Sequence, residues 1–246
     1  MNPVHLLAIG KGAVLEMLRR RDLAVLGLFM GVYLLFLGAA RFVGIETPAA
    51  GTFLLNLSLT LVVLLCHLLT LLMAARQLPD ELERRTLFPL MARSVSRTEI
   101  LAAKGLAAWV TGVAVFAVLL VPTLLLVPNM ETYAAATLIQ TLLLQPAALA
   151  MTASTALYFS ILIPRGLAVF LSGLIVFAAG PLVRLPLLSA LSQWVPDPGR
   201  LNLVVRYTDG IGPLPAGEWM SLTLSGLLWS ALFLAAACRI FQRRSV

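Results

Sequence analysis

The sequence predicts an all-α polytopic membrane protein, and three observations lead to that class. Of 246 residues, 60% are apolar and only 12% are charged, about half the charged fraction of a soluble domain, which is roughly 25%. The charges punctuate the chain at intervals and leave uncharged stretches long enough to cross a bilayer. The cationic residues also gather in alternate connecting segments, as they do when they mark one membrane face.

The uncharged stretches predict six transmembrane helices. A helix crosses the hydrocarbon core with about 20 apolar residues, and all six stretches approach or exceed that length. We expect one transmembrane domain over residues 1–246, with spans near 23–42, 52–74, 105–127, 137–162, 166–183 and 219–238.

The basic residues predict the orientation. With the N-terminus in the cytoplasm, 14 of the 18 Lys and Arg residues fall in inner segments. Both termini are therefore expected in the cytoplasm. The net charge of +7 follows from this arrangement and does not predict nucleic-acid binding, because no basic face with interleaved aromatic residues lies outside the spans. The outer segments hold only Arg41, Arg184, Arg200 and Arg206.

The first 21 residues resemble an interfacial helix more than a span. Val4, Leu7 and Val14 share one helical face with Leu15 and Leu18. An amphipathic entry helix lying on the inner leaflet is expected at residues 1–21. A disordered basic tail is the alternative.

The last outer loop, residues 184–218, is rich in Pro and Gly but holds an apolar run near 185–194. A freely solvated loop would not carry that run. We expect interfacial or re-entrant helices here, interrupted by the "PDPG" sequence at 196–199.

The stretch "ELERRTLFPLMARSVSRTEILAAK", residues 81–104, is a charged segment within an apolar chain. We take residues 75–104 as a cytoplasmic segment. Pro79 at a first helical position, followed by acidic residues, predicts a helix over about 79–88. Ser96 and Glu99 have the spacing of a capping box that opens the third span. The apolar side and arginine rim of this segment suit either a groove on a partner protein or lipid headgroups.

The same segment resembles the cytoplasmic segment of six-span permeases of the ATP-binding-cassette type-2 exporter class. That family reads E-R-G-T-L, then P-V-S-R, E-I-L and a G-K pair entering the third span. The sequence departs from this pattern at Arg85, Ser94 and Ala103, where Gly, Pro and Gly are usual, and Pro89 is atypical. The whole layout is similar as well. The matching residues are Glu83, Arg84, Thr86, Leu87, Val95, Ser96, Arg97, Glu99, Ile100, Leu101 and Lys104.

The resemblance implies an ATP-driven export subunit of the bacterial inner membrane whose segment between spans two and three is a coupling helix. It implies two separate ATPase subunits that bind ATP and Mg²⁺, and a second permease copy, expected to form a homodimer. An extracytoplasmic accessory protein is a further possible partner, and the substrate is unknown. No cofactor is expected on this chain, since Gly10-Lys11 lacks the pattern of a phosphate loop. The residues expected to contact the ATPase are Glu83, Arg84, Thr86, Leu87, Leu90, Arg93 and Arg97.

Polar residues recur on one face of the second span and on one face of the fourth. They could line a translocation pathway. Small hydroxyl residues also pack membrane helices together, and the sequence leaves both readings open. The candidate pathway residues are Asn56, Thr60, His67, Thr141, Gln145 and Thr152.

Two other classes of function stay open as alternatives: a membrane channel or scaffold that needs no ATPase, and an intramembrane lipid-modifying enzyme. The predicted spans contain no Asp or Glu. Cys66 and His67 are adjacent and point about 100° apart on a helix, so they make a poor metal-ligand pair. We therefore expect neither catalytic nor metal-binding residues.

Overall fold

The structure is a computed structural model that describes residues 9–15, 21–42, 48–83, 96–126, 135–183 and 197–243. Every regular element in these ranges is helical, which confirms the all-α class. In chain order the elements are α1 (residues 9–15), α2 (Arg21–Phe42), α3 (Pro48–Glu83), α4 (Arg97–Leu126), α5 (Ala135–Leu162), α6 (Arg165–Val183), a 3-10 turn (Pro198–Leu201), α7 (Val204–Thr208) and α8 (Ala216–Arg243).

Among the described residues, four helices are long and apolar enough to cross a membrane. They fit the predicted second, third, fourth and sixth spans. The helices at the first and fifth predicted spans hold shorter apolar stretches, Gly27–Ala40 in α2 and Arg165–Ala178 in α6, so a count of six spans stays a prediction. The four long candidates are Phe53–Glu83, Arg97–Leu125, Ala136–Leu162 and Ala216–Arg243.

The predicted start of a new helix at Pro79 is wrong. Pro79 lies inside α3, which runs without a break from Pro48 to Glu83. Proline removes one backbone donor and usually ends or bends a helix. Here Ala75 and Leu78, which precede Pro79 in the same turn of the helix, are fully buried. Packing therefore holds the helix through Pro79, and the acidic residues that follow belong to its last turn.

Helix α5 lies at the centre of the bundle, where it packs against α3, α4, α6 and α8. Small side chains such as Ala148, Ala153 and Ala156 are buried along it and allow close approach of the neighbouring helices. The hydroxyl groups of Thr152 and Thr155 donate to the carbonyl groups four residues earlier, at 3.0 and 2.7 Å. These polar groups are thus satisfied without a partner from another helix.

Tyr33 joins α2 to two neighbouring helices. The hydroxyl group of Thr123 in α4 donates to the Leu119 carbonyl at 2.7 Å. The Tyr33 hydroxyl therefore donates to the oxygen of Thr123 at 2.7 Å, and it lies 3.4 Å from the carbonyl oxygen of Ser58 in α3. This polar contact is buried in a cluster of apolar side chains that includes Leu37.

The segment after residue 196 folds inward between the helices. Asp197 caps the 3-10 turn by accepting from the Gly199 backbone N–H at 2.9 Å, so the "PDPG" sequence marks the start of a helical turn. Leu201 then packs against Gly226 of α8 and beside Ala147 of α5. Residues 184–196, the first part of the predicted outer loop, lie outside the described residues.

After α7, the inward-folded segment runs back along α5. The side-chain amide of Gln140 accepts from the Leu214 N–H at 2.8 Å and donates to its carbonyl at 2.9 Å. Val204 and Tyr207 of α7 are almost fully buried in the same cluster as Tyr33. This part of the last predicted outer loop therefore completes a core shared by α2, α3, α4 and α5.

Only residues 9–15 of the predicted entry helix are described, and they are helical. Ala13 is buried against α3 and α4, whereas Leu15 is 48% exposed. The described part of the entry helix thus packs on the bundle through Ala13. The membrane contact predicted for residues 1–21 stays a prediction.

Gly112 of α4 lies against Thr70 of α3, and we expect the variant Gly112→Ala to destabilise the protein. A Cβ at this position would lie 2.1 Å from the Thr70 hydroxyl oxygen, so the helices would have to separate, at a cost of about 1–3 kcal/mol. Unfolding of the purified protein in mixed detergent micelles measures the loss.

Gly31→Ala is the matched control, because a Cβ there meets nothing within 4 Å. Adding Thr70→Ala to Gly112→Ala should restore much of the lost stability by removing the clashing oxygen. Equal losses for Gly112→Ala and Gly31→Ala would contradict the close approach.

Candidate functional site

The ends of α3 and α4 frame the charged segment that the sequence singles out. Helix α4 begins with the predicted capping box, which the structure confirms. The Ser96 hydroxyl accepts from the Glu99 N–H at 3.2 Å, and the Glu99 carboxylate accepts from the Ser96 N–H at 3.0 Å. The reciprocal bonds satisfy two N–H groups at the start of the helix and fix the point at which residues 84–95 rejoin the bundle.

A buried ion pair links the two helices one to two turns from this point. The ammonium group of Lys104 in α4 donates to the carboxylate of Glu81 in α3. The Lys104 side chain is 2% exposed and that of Glu81 is 12% exposed. Removing two charges from water costs several kcal/mol per ion, so such a pair holds only with close geometry. The pair therefore fixes the last turn of α3 against the second turn of α4.

A second ion pair extends the frame to α6. The guanidinium of Arg165 donates to the carboxylate of Asp80 at 3.0 Å. The Arg165 side chain is 53% exposed, so this pair contributes much less to stability than a buried one. Its importance is positional, since it ties the first turn of α6 to α3 beside the Glu81–Lys104 pair.

Arg97 extends the frame to α8. Its guanidinium donates to the Phe241 carbonyl at 3.3 Å and lies 5.9 Å from the centre of the Phe241 ring. Phe241 itself is fully buried with Ile100 and Leu101 of α4. The contact combines a charge-assisted hydrogen bond with a cation–π interaction, and it anchors the start of α4 to the last turns of α8.

The predicted ATPase-contact residues do not share one environment. Glu83 is exposed at the end of α3. Arg97, by contrast, contacts α8 of its own chain, so part of its side chain is committed within the bundle. The remaining predicted residues lie outside the described part of the chain: Arg84, Thr86, Leu87, Leu90 and Arg93.

The described residues on both sides of residues 84–95 are fixed to the bundle. Glu81 lies just before this segment and is tied to α4; Arg97 lies just after it and is tied to α8. Packed helices move as rigid elements. The residues that flank this segment are therefore fixed relative to α3, α4, α6 and α8.

Sequence reasoning did not predict the Glu81–Lys104 pair. It assigned Glu81 to the first turn of a separate helix that starts at Pro79, and it treated Lys104 as one of the basic residues that set the orientation and as part of the family resemblance. The sequence does contain a signal for this pair. An acidic residue, Glu81, follows one apolar stretch, and a basic residue, Lys104, precedes the next. Charges at that depth are rarely left without a partner.

The candidate pathway residues of α3 divide into two environments. His67 is buried, and its Nδ1 atom donates to the Val63 carbonyl at 2.9 Å. Thr60 is exposed and donates to the side-chain oxygen of the half-buried Asn56 at 3.2 Å. Thr60 and His67 line one cavity, and their place in a translocation pathway stays a prediction.

The candidate pathway residues of α5 are all buried. Thr141 and Thr152 donate to backbone carbonyls of their own helix, at 2.7 and 3.0 Å, which is the arrangement of packing residues. Gln145 is 1% exposed, and its two amide atoms have no hydrogen-bond partner among the described residues. The fourth-span residues therefore lie inside the bundle and not on the cavity that Thr60 and His67 share.

The buried ion pair generates a stability prediction for the variant Lys104→Met. The change removes the Lys104 ammonium group from a largely buried ion pair, which should cost about 3–5 kcal/mol. Arg165→Met is the matched control, because it removes the exposed partner of the neighbouring pair and should cost about 1 kcal/mol or less. Unfolding in mixed micelles measures both.

The double variant Glu81→Gln with Lys104→Met removes both charges. It should recover more than half of the stability that Lys104→Met loses, because the buried carboxylate charge is removed together with its ammonium partner. A Lys104→Met loss no larger than that of Arg165→Met would show that the pair is not buried as described.

No protein-family model matches the chain, and no curated protein matches it.

Proposed function

We propose that this chain is the transmembrane permease subunit of an ATP-binding-cassette exporter, in which residues 84–95 contact a separate ATPase subunit. The observation that carries the proposal is the anchoring of both ends of that segment, through the Glu81–Lys104 ion pair and the Arg97–Phe241 contact. A lipid-facing surface helix would need no buried ion pair beneath it. A segment that transmits force would need such a fixed base.

The proposed mechanism is alternating access. ATP and Mg²⁺ bind between two ATPase subunits and draw them together. Each ATPase displaces the segment that it contacts, and the Glu81–Lys104 pair passes this displacement to α3 and α4 as one unit. Arg97 carries it to α8, so the helices around α5 change their tilt and open the pathway to the opposite side.

In this proposal the chain spans the bacterial inner membrane six times, with both of its ends in the cytoplasm. The inward-folded segment 197–208 is then re-entrant from the outer side. Leu201 packs beside Ala147, twelve residues from the start of α5, which is a depth of about 18 Å along the helix. The segment would thus plug the outer half of the bundle.

The proposed assembly contains two copies of this chain and two ATPase subunits. The pathway forms where the two permease copies meet. An extracytoplasmic accessory protein is a further proposed partner. Nucleotide is bound by the ATPase subunits alone.

Co-purification tests the proposal. The tagged chain is extracted from its native membrane in mild detergent, and its partners are identified by mass spectrometry. We expect a stoichiometric ATPase subunit. The variant Leu87→Asp should weaken its binding by about 30-fold or more, because a buried apolar anchor contributes about 2 kcal/mol or more to an interface.

Gln242→Asp is the matched control, since it adds the same charge at an exposed position at the end of α8 and outside the segment. The Glu81→Gln, Lys104→Met double variant separates docking from transmission: it should retain the ATPase but lose most of the permease-dependent stimulation of ATP hydrolysis. A chain that carries no ATPase even after crosslinking would refute the proposal and favour the channel, scaffold or enzyme classes.

A further inference from the structure

A cavity of about 170 Å³ lies between α3, α6 and the inward-folded 3-10 turn. Its apolar wall is formed by Val63 and Leu64 of α3 and by Val176 and Phe177 of α6. Leu64 and Phe177 are 37% and 39% exposed, so the cavity opens at the surface of the bundle. A ligand dissolved in the bilayer could enter it sideways without crossing the core.

His67 gives this apolar cavity a hydrogen-bond acceptor. The Val63 carbonyl can only accept, so the 2.9 Å contact from Nδ1 places the imidazole proton on that nitrogen. The second ring nitrogen, Nε2, is then an acceptor. The His67 ring is 4% exposed and packs edge-on against Phe177 at 6.5 Å between ring centres, which fixes the orientation of the imidazole.

Asn202 also lines the cavity, and its side chain carries a donor. Its side-chain oxygen accepts from the Val204 N–H at 3.1 Å, so the amide is held with a defined orientation. That bond leaves the amide nitrogen as the donor on the side chain. A hydroxyl group of a ligand can donate to one such group and accept from the other.

The volume limits the ligand to one small ring or a short chain. An engineered apolar cavity of about 150 Å³ holds one benzene molecule. A cavity of about 170 Å³ therefore holds a six-membered ring with one or two substituent atoms. The apolar and aromatic wall suits the ring, and the polar pair suits a single hydroxyl group.

We propose that this cavity is a binding site for a small phenol-like molecule, whose ring packs between Val176 and Phe177 and whose hydroxyl group donates to Nε2 of His67. Asn202 donates to the hydroxyl oxygen from the other side. The site needs no ATPase subunit. The binding proposal and the proposed export function can therefore each be refuted without refuting the other.

The test compares 4-fluorophenol with 4-fluorotoluene, which has the same shape but no hydroxyl group. Fluorine NMR measures the binding of each compound to the full-length chain in lipid nanodiscs, with empty nanodiscs as the correction for partition into lipid. Because a net hydrogen bond contributes about 1 kcal/mol, 4-fluorophenol should bind about fivefold more tightly.

Three variants locate the binding. His67→Phe keeps a ring beside Phe177 but removes the acceptor, so the two compounds should then bind about equally. Thr60→Phe fills the exposed edge of the cavity and should abolish binding of both. Leu228→Phe is the matched control, because it adds a ring at an exposed position of α8 that does not line the cavity, and it should bind like the unmodified chain.

A cooperative thermal unfolding transition, measured for each variant, shows that the variant is folded before heating. Thr60→Phe changes an exposed position, so it tests the site even if His67→Phe destabilises the chain. Equal binding of the two compounds to the unmodified chain would overturn the proposal. Binding that survives Thr60→Phe would place the ligand elsewhere and would also overturn it.

Discussion

The structure depends on how closely helices can approach one another around α5. Apolar side chains gain little from one another inside a lipid bilayer, because lipid is as apolar as they are. Helices are instead held together by close contact and by a few polar bonds. Helix α5 meets this requirement with buried alanines and with threonines that bond to their own backbone, so four helices can surround it. Gly112 does the same for the contact between α3 and α4.

Polar interactions in the described residues differ between the middle of the bundle and the end at which α3 ends and α4 begins. In the middle they are neutral, such as the threonine–carbonyl bonds within helices and the contact between Tyr33 and Thr123. At the end where α3 meets the start of α4 they are charged and join different helices, as Glu81 joins Lys104 and Arg165 joins Asp80. The charged contacts therefore fix the helix ends relative to one another.

The sequence was sufficient to predict the helical class and most helix positions, because long uncharged stretches and their flanking charges are local signals. The capping box at Ser96 was equally local and is confirmed. Pro79 was misassigned because burial of Ala75 and Leu78 outweighs the local effect of proline. No local pattern reveals how a segment packs against distant helices.

The candidate site was predictable only in outline. Charge and spacing located the segment, but Arg97 was expected to face a partner and contacts Phe241, which lies 144 residues later. The Glu81–Lys104 pair joins residues 23 positions apart across a stretch whose conformation the sequence does not specify. Likewise His67 and Asn202 share a cavity although they belong to distant parts of the chain.

The inward-folded segment has a consequence for the order in which the protein can mature during synthesis. Val204 and Tyr207 fill the core made by α2, α3 and α4, yet the ribosome adds them after six helices are already made. Helices α2, α3 and α4 are therefore made before the side chains that fill the core between them. This core can close only when the later segment packs back onto helices that were synthesised earlier.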